Sequence, residues 1–215
     1  MLLISVNIGH EQPIKNGKAS GKTGIYKVPS LEVVQIGVDG IGDDFIADRD
    51  NHGGPDQAVY VYGPPDYEWW SSELGRELAP GTFGENLTIS GLESARLSIG
   101  DELRIGSVVL QVSAARIPCA TLAARMGDPA FVRRFRRAER PGLYCRVLQQ
   151  GQVRAGDEVR LEPYQGETIT ALEMFRDWYE PDQSEAGVQR YLAAPVASRA
   201  LAGKKKQIKK RPATN

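Results

Sequence analysis

Two residues in this chain have types and settings suited to chemistry, Cys119 and His52. Cys119 stands in SAARIPCATLAARMG, directly behind Pro118, where an alternating strand gives way to a helical pattern, so its thiol can emerge at a strand end. Neighbouring Arg116 can lower the thiol pKa and favour the thiolate, the form that attacks electrophiles and binds metals. Cys145, the other cysteine, alternates with Leu143 and Val147 in LYCRVL and reads as a small core residue. On residue type alone Cys119 is open to a structural role as well. His52 lies in ADRDNHGGPDQ, three residues after Arg49 and just before Gly53 and Gly54. It reads in two ways. It is either a turn residue whose imidazole bonds to backbone, or one wall of a site where the glycines let the backbone approach an anionic or planar ligand and Arg49 supplies charge.

Further stretches are dense in polar and glycine residues. In GTFGENLTISG, Asn86 either holds a turn through its own backbone or points its amide at a heterocycle. GKASGKTGIYKVPS sets Lys18, Lys22 and Lys27 in a loop that can cradle phosphate, but it lacks the spacing of a P-loop, and no G-x-G-x-x-G occurs. ATP hydrolysis and nicotinamide binding lose their usual support. With no C-x-x-C and no histidine near either cysteine, a tetrahedral zinc site has no ligand cluster.

The elements that must position these residues are mostly short strands. LLISVNI, EVVQIGV, AVYVY, NLTIS, ELRIGSVVLQV, LYCRVL and DEVRLEP alternate with period two between Gly, Pro, Asp and Asn punctuation. The pattern predicts a mainly β fold, a closed or nearly closed β-barrel with a few helices. PPDYEWWSSELG predicts a helix with Tyr67, Trp70 and Leu74 on one face, stopped at Gly75. DPAFVRRFRRAERPG predicts another, with Phe131, Val132 and Phe135 inward and Arg133, Arg136, Arg137 and Arg140 outward, a face that reads first as solvated. After EPYQGET, Thr168 is the expected cap of a helix carrying Ile169, Leu172, Phe175 and Trp178, and two more helical patterns follow. The expected organisation is therefore a barrel over residues 1–163 and a separate C-terminal three-helix unit with a basic tail over 164–215.

Composition agrees with a globular chain: 41% hydrophobic, 25% charged, and no apolar run of the length that spans a bilayer. The N-terminus lacks a basic start before its short apolar run, so a cytoplasmic location is expected. Residues 1–202 carry 21 basic against 27 acidic residues, a poor body for general nucleic-acid binding, while GKKKQIKKRPATN at the end is read as a solvated, frayed tail.

Taken in order, IADRDNHGGPDQAVYVY, FGENLTISGL, GDELRIGSVVLQVSAARIPCATLAARMG and PGLYCRVLQQGQVRAGDEVRL resemble the MOSC-domain proteins, in particular the bacterial YiiM-like group. The resemblance covers about residues 1–163, and the helical segment after it is similar to the one that often follows the barrel in that group. It implies a β-barrel that binds the molybdenum cofactor, a pterin dithiolene phosphate, and reduces N-hydroxylated compounds such as hydroxylamines and N-hydroxylated purine bases. Cys119 matches the family's cysteine and is the implied thiolate ligand to molybdenum. It also implies a catalytic role for His52, a place for Arg49, Gly53 and Asn86 on the cofactor or substrate pocket, and contacts from Lys27 and Arg116 to the pterin phosphate. Electrons must then come from a separate flavoprotein or similar reductase; membrane and nucleic-acid partners are not expected. Two other readings use the same residues: a cysteine persulfide sulfur carrier, and a non-enzymatic cofactor- or nucleic-acid-binding barrel.

Overall fold

Alternating apolar residues become strands almost wherever they occur. The structure, a computed structural model, describes residues 1–17, 21–49 and 52–209. In chain order its elements are β1 (Leu3–Ile8), β2 (Gln12–Pro13), β3 (Lys22–Thr23), β4 (Val28–Pro29), β5 (Val34–Gly37), β6 (Gly40–Ile41), β7 (Val59–Tyr62), α1 (Pro64–Leu74), β8 (Leu87–Ile89), β9 (Glu102–Ile105) and β10 (Val108–Ala115). Then come α2 (Ala120–Met126), α3 (Phe131–Ala138), β11 (Leu143–Gln149), β12 (Gly151–Val153), β13 (Val159–Glu162), α4 (Ala171–Tyr179), α5 (Glu185–Ala193) and α6 (Ser198–Lys209). Eight strands form one sheet in the order β13-β9-β10-β11-β7-β8-β1-β4, three form a second, β12-β5-β6, and β2 pairs with β3. β9 and β13, each preceded by a Gly-Asp pair (100–101 and 156–157), are direct neighbours, with Leu103 opposite Leu161.

Of the expected barrel, closed or nearly closed, the described residues show one eight-stranded sheet without a complete ring of ladders. Among the described residues no ladder joins the edge strands β13 and β4. β4 is two residues long and ends in Pro29, which has no N–H to extend a ladder. Near β13 the chain start is held by the isolated Leu2–Glu158 bridge and by the Val159 N–H donating to Met1 O at 2.9 Å. Alternation specifies which face of a strand is buried; closure depends on tilt and stagger, which a local pattern does not carry. The β7–β8 pair is parallel, and the crossover this demands is supplied by α1 and the loop after it.

Helices cover the sheet with an aromatic cluster. Trp70 of α1 lies 5.0 Å from Phe131 and 5.7 Å from Phe135 of α3, ring centre to ring centre, and Phe83 lies 4.9 Å from Tyr62 of β7. Gly75 ends α1 in the left-handed conformation at φ 63°, the stop expected there. The C-terminal helices pack onto the sheet and α3. Phe175 of α4 packs on Phe135 at 6.3 Å, residues 97–99 exchange backbone bonds with 169–171, and the apolar core is continuous from Leu3 to Ala197.

Two details differ from the sequence expectation. The α4 cap is Thr170, whose side chain accepts from the Glu173 amide at 3.0 Å while Glu173 accepts from the Thr170 amide at 2.7 Å; Thr168 instead donates to Ile99 O, and Trp178 is exposed. Thr170→Ala is expected to lower the stability of the chain by about 1 kcal/mol in denaturant unfolding, where the same change at Thr168 removes no cap. The basic end is not wholly solvated either: Lys204 is 3% exposed and its ammonium meets Asp177 of α4 at 2.6 Å, and α6 runs to Lys209. The remaining six residues lie outside the described part.

Candidate functional site

The site begins where β10 ends. Pro118 favours extended backbone in the residue before it, and the chain turns at Cys119 (φ −128°, ψ 169°), the residue that precedes the first turn of α2. Arg116, three residues earlier, is buried. Its guanidinium lies 5.2 Å from the Tyr60 ring centre and 6.0 Å from that of Phe135, with Tyr144 beside it. Gly142 makes room for this stack, since at φ 69° a Cβ there would stand 2.5 Å from the Tyr60 ring. One guanidinium nitrogen, Nη1, is buried and has no hydrogen-bond partner. Burial opposes the Arg116 charge, but Tyr60, Tyr144 and Cys119 hold its pKa above the usual value, so it stays a cation.

His52 completes this wall. Its Nδ1 lies 3.2 Å from Tyr144 Oη, and the ring stands close enough to the Cys119 thiol to favour its ionised form. Burial pushes that thiol up, but the nearby His52 ring, the Arg116 charge and the Leu122 amide at the start of α2 together bring its pKa down from 9.0 to about 6. Cys119 is therefore a thiolate at neutral pH. Cys145 is fully buried and burial pushes its thiol up to about 12. The two cysteines differ as their strand positions predict.

These groups face a cleft whose empty space, open mouth included, is about 750 Å³. Across it stand Lys27, Asp44, Gly84 and Asn86. Lys27 is paired with both oxygens of Asp44, which also accepts from the Gly9 amide at 2.7 Å and from Asn86 Nδ2 at 3.0 Å. Asn86 Oδ1 takes the Tyr60 amide at 3.1 Å, so its amide is committed at both ends to protein groups. Burial lowers the Lys27 pKa against the pull of Asp44.

Of the residues singled out by sequence, Cys119, His52, Gly53, Lys27, Asn86 and Arg116 border one cleft. Arg49 does not. It is exposed and lines a separate shallow groove with Gln35, Asp39 and Gln150. Gly53, at φ 123°, swings the chain so that a Cβ there would meet Ile46 at 3.2 Å, and His52 rather than Arg49 turns inward. Asp50 and Asn51 between them, and Lys18 of the lysine loop, lie outside the described residues; Lys22 reaches Glu11 at 2.7 Å beside the cleft. Sequence reading missed Tyr144 and Asp44. The alternation that sends Cys145 into the core sends Tyr144 to the opposite face, a usable signal; Asp44, in a run of acids, offers none.

Among the described residues no group of three or more His, Cys, Asp or Glu side chains could hold a metal ion. A soft metal bound by Cys119 would have to bring its other ligands with it. A thiolate beside a buried cation with a free N–H is instead suited to a ligand that is soft at one end and anionic at the other. Fold and site thus define a sheet domain built around one reactive thiolate. The MOSC domain model matches residues 48–160, and the chain belongs to that family, in its YiiM-like branch.

The chain is 34% identical to YflK of Bacillus subtilis, an uncharacterized protein, over 91% of this chain and 89% of that one. It is 27% identical to YiiM of Escherichia coli over 97% and 96% of the two. A protein of Gibberella moniliformis named reductase is 33% identical over 76% of this chain, which spans only 30% of that protein. The crystal structure of YiiM from Geobacillus stearothermophilus superposes with a TM-score of 0.80 at 24% identity, covering 96% of this chain and 98% of that one, and so supports the fold. No helix among the described residues is long and apolar enough to cross a membrane.

Proposed function

We propose that the cleft binds the molybdenum cofactor and that the protein reduces N-hydroxylated compounds there, hydroxylamines and N-hydroxylated purine bases among them. The observation that carries this reading is the Cys119 thiolate beside the buried, unpartnered Nη1 of Arg116. The donor set fits the group: Cys119 supplies one soft ligand, the dithiolene would supply two more, and Arg116 offers a charge-assisted bond to the phosphate. When bound, the cofactor supplies a two-electron centre for the net change R–NHOH + 2e⁻ + 2H⁺ → R–NH₂ + H₂O.

The chain's own residues do the rest. Arg116 orients the anionic end, and the phenols of Tyr60 and Tyr144 keep its guanidinium in place. His52 stands beside Cys119 with Nδ1 tied to Tyr144 Oη, which fixes the ring and lets the imidazole pass protons to the cleft. Lys27 and Asn86 contribute through Asp44, as a neutral, rigid wall rather than as free charges. The fungal relative's name, reductase, agrees with this reaction class.

The low pKa of Cys119 also favours a second reading, in which the thiolate carries a persulfide sulfur. One experiment separates them. Protein made in cells that synthesise the cofactor is expected to hold stoichiometric molybdenum and, after dithionite reduction, to convert an N-hydroxylated purine to its amine. Sulfane sulfur on Cys119 without molybdenum would establish the carrier; fully loaded, reduced protein inert toward several hydroxylamines would exclude the reductase.

A further inference from the structure

Helix α3 presents opposite characters on its two faces. Inward, Phe131 and Phe135 are fully buried, and Phe135 lies against the Arg116 guanidinium that borders the cleft. Outward, Arg133, Arg136 and Arg137 are exposed. Arg136 pairs with Glu180 at 2.6 Å and covers the Tyr179 ring at 4.3 Å, whereas Arg133 and Arg137 enter none of the ion pairs among the described residues. Residues 131–140 hold five arginines and one glutamate, while the rest of the chain holds 22 basic and 26 acidic side chains. Helix α3 and the turn after it are thus a compact positive patch, with the lysine-rich α6 the other basic segment, on a body that is otherwise net negative.

We propose that this face of α3, centred on Arg133 and Arg137, docks an acidic protein that carries reduced flavin and supplies the electrons. The proposal rests on the reductase reading, whose balance requires a two-electron donor: flavin hydroquinone and R–NHOH give oxidised flavin, R–NH₂ and water, with the N–O bond broken and N–H and O–H bonds formed. Charge complementarity steers such a partner and fixes its register. Outside α3 and the lysine-rich α6 the surface is net negative and disfavours an extended polyanion, so a small acidic protein fits the patch better than RNA or an anionic bilayer. Contacts through the helix connect the patch to the site: Phe135 on its inner side touches Arg116, and Arg116 acts on Cys119.

A photoreduced, acidic flavodoxin serves as the probe, with association measured at low and high ionic strength and turnover of an N-hydroxylated purine followed in parallel. The wild-type protein is expected to bind it in a salt-sensitive manner. Arg133→Glu/Arg137→Glu should weaken association and flavodoxin-driven turnover about tenfold or more, with dithionite-driven turnover unchanged. Arg96→Glu, exposed and outside this helix, should change neither. If the double variant melts earlier than wild type, Arg133→Gln/Arg137→Gln replaces it. Flavodoxin affinity that is absent, or indifferent to both double variants, overturns the proposal, as does an anionic vesicle or RNA oligonucleotide that binds this face more tightly than flavodoxin. Absence of dithionite-driven turnover in the loaded wild type would remove the reductase reading instead, while the binding measurement still decides the docking face.

Discussion

Cys119→Ala is expected to reduce molybdenum content and turnover to background while the chain stays folded. The residue is only partly buried, so loss of one sulfur there should cost less than ~1 kcal/mol, and no other soft donor faces the cleft to take its place. Cys119→Ser should fare little better, because a neutral hydroxyl is a hard, weak ligand where a thiolate was a soft, charged one. Cys145→Ser should keep molybdenum and activity and lose stability alone, since a hydroxyl in that apolar position has to find a hydrogen-bond partner. Loss of metal in that variant would mean that the reactive thiol has been wrongly assigned.

The same thiol can be tested without cofactor. With a pKa of about 6, Cys119 is roughly nine-tenths thiolate at pH 7, whereas Cys145, pushed up to about 12, is roughly one part in 10⁵ ionised. Iodoacetamide should therefore label one cysteine per chain, at a rate that rises through pH 6 and then levels. His52→Ala removes the neighbouring ring that favours the ion, so the midpoint should move up and labelling at pH 7 should slow. Equal labelling of both cysteines, or a wild-type midpoint near 9, would refute the electrostatic account. The sign also fixes a stability window: ionisation at about 6 rather than 9 contributes stability that is complete above pH 9 and is lost as the pH falls to about 6.

What could be read from sequence was local. The contrast between Cys119 and Cys145 follows from strand alternation, and α1 follows from three apolar residues and a terminal glycine. What could not be read depends on distant partners. Tyr144 meets His52 across 92 positions, and Lys204 finds Asp177 across 27, so neither the tyrosine in the site nor the buried lysine within a basic run carries a local mark. Arg49 and His52 are three residues apart in a loop without period, and no local pattern marks that His52 borders the cleft while Arg49 does not. How far the sheet closes depends on distant partners too: residues 1–3 exchange backbone bonds with residues 156–159 beside β13, a contact that no alternating strand announces.

Asp44→Ala should be among the most destabilising single changes in the chain. The carboxylate, 4% exposed, receives the Lys27 ammonium, 8% exposed, on both oxygens, and also the Gly9 and Asn86 N–H groups. Removing it leaves a buried cation without a counter-charge, a loss of about 3–5 kcal/mol, from a total that for a domain is commonly only ~5–15 kcal/mol. Asp44→Asn retains an acceptor for Gly9 but not the charge, and should fall between the two. The double variant Lys27→Met/Asp44→Leu removes both charges and should recover much of the loss, because a buried ion pair contributes little over apolar groups of similar size. The single variant isolates what Lys27 does. With Asp44 gone its ammonium faces the cleft unpaired, so inorganic phosphate should raise the melting temperature of Asp44→Ala more than that of wild type, and should do nothing for the double variant. A loss below ~1 kcal/mol in urea unfolding would show that the ammonium escapes to water when its partner is removed. In that case the wall opposite Cys119 is not rigid, and Lys27 is free to serve as a direct anion contact.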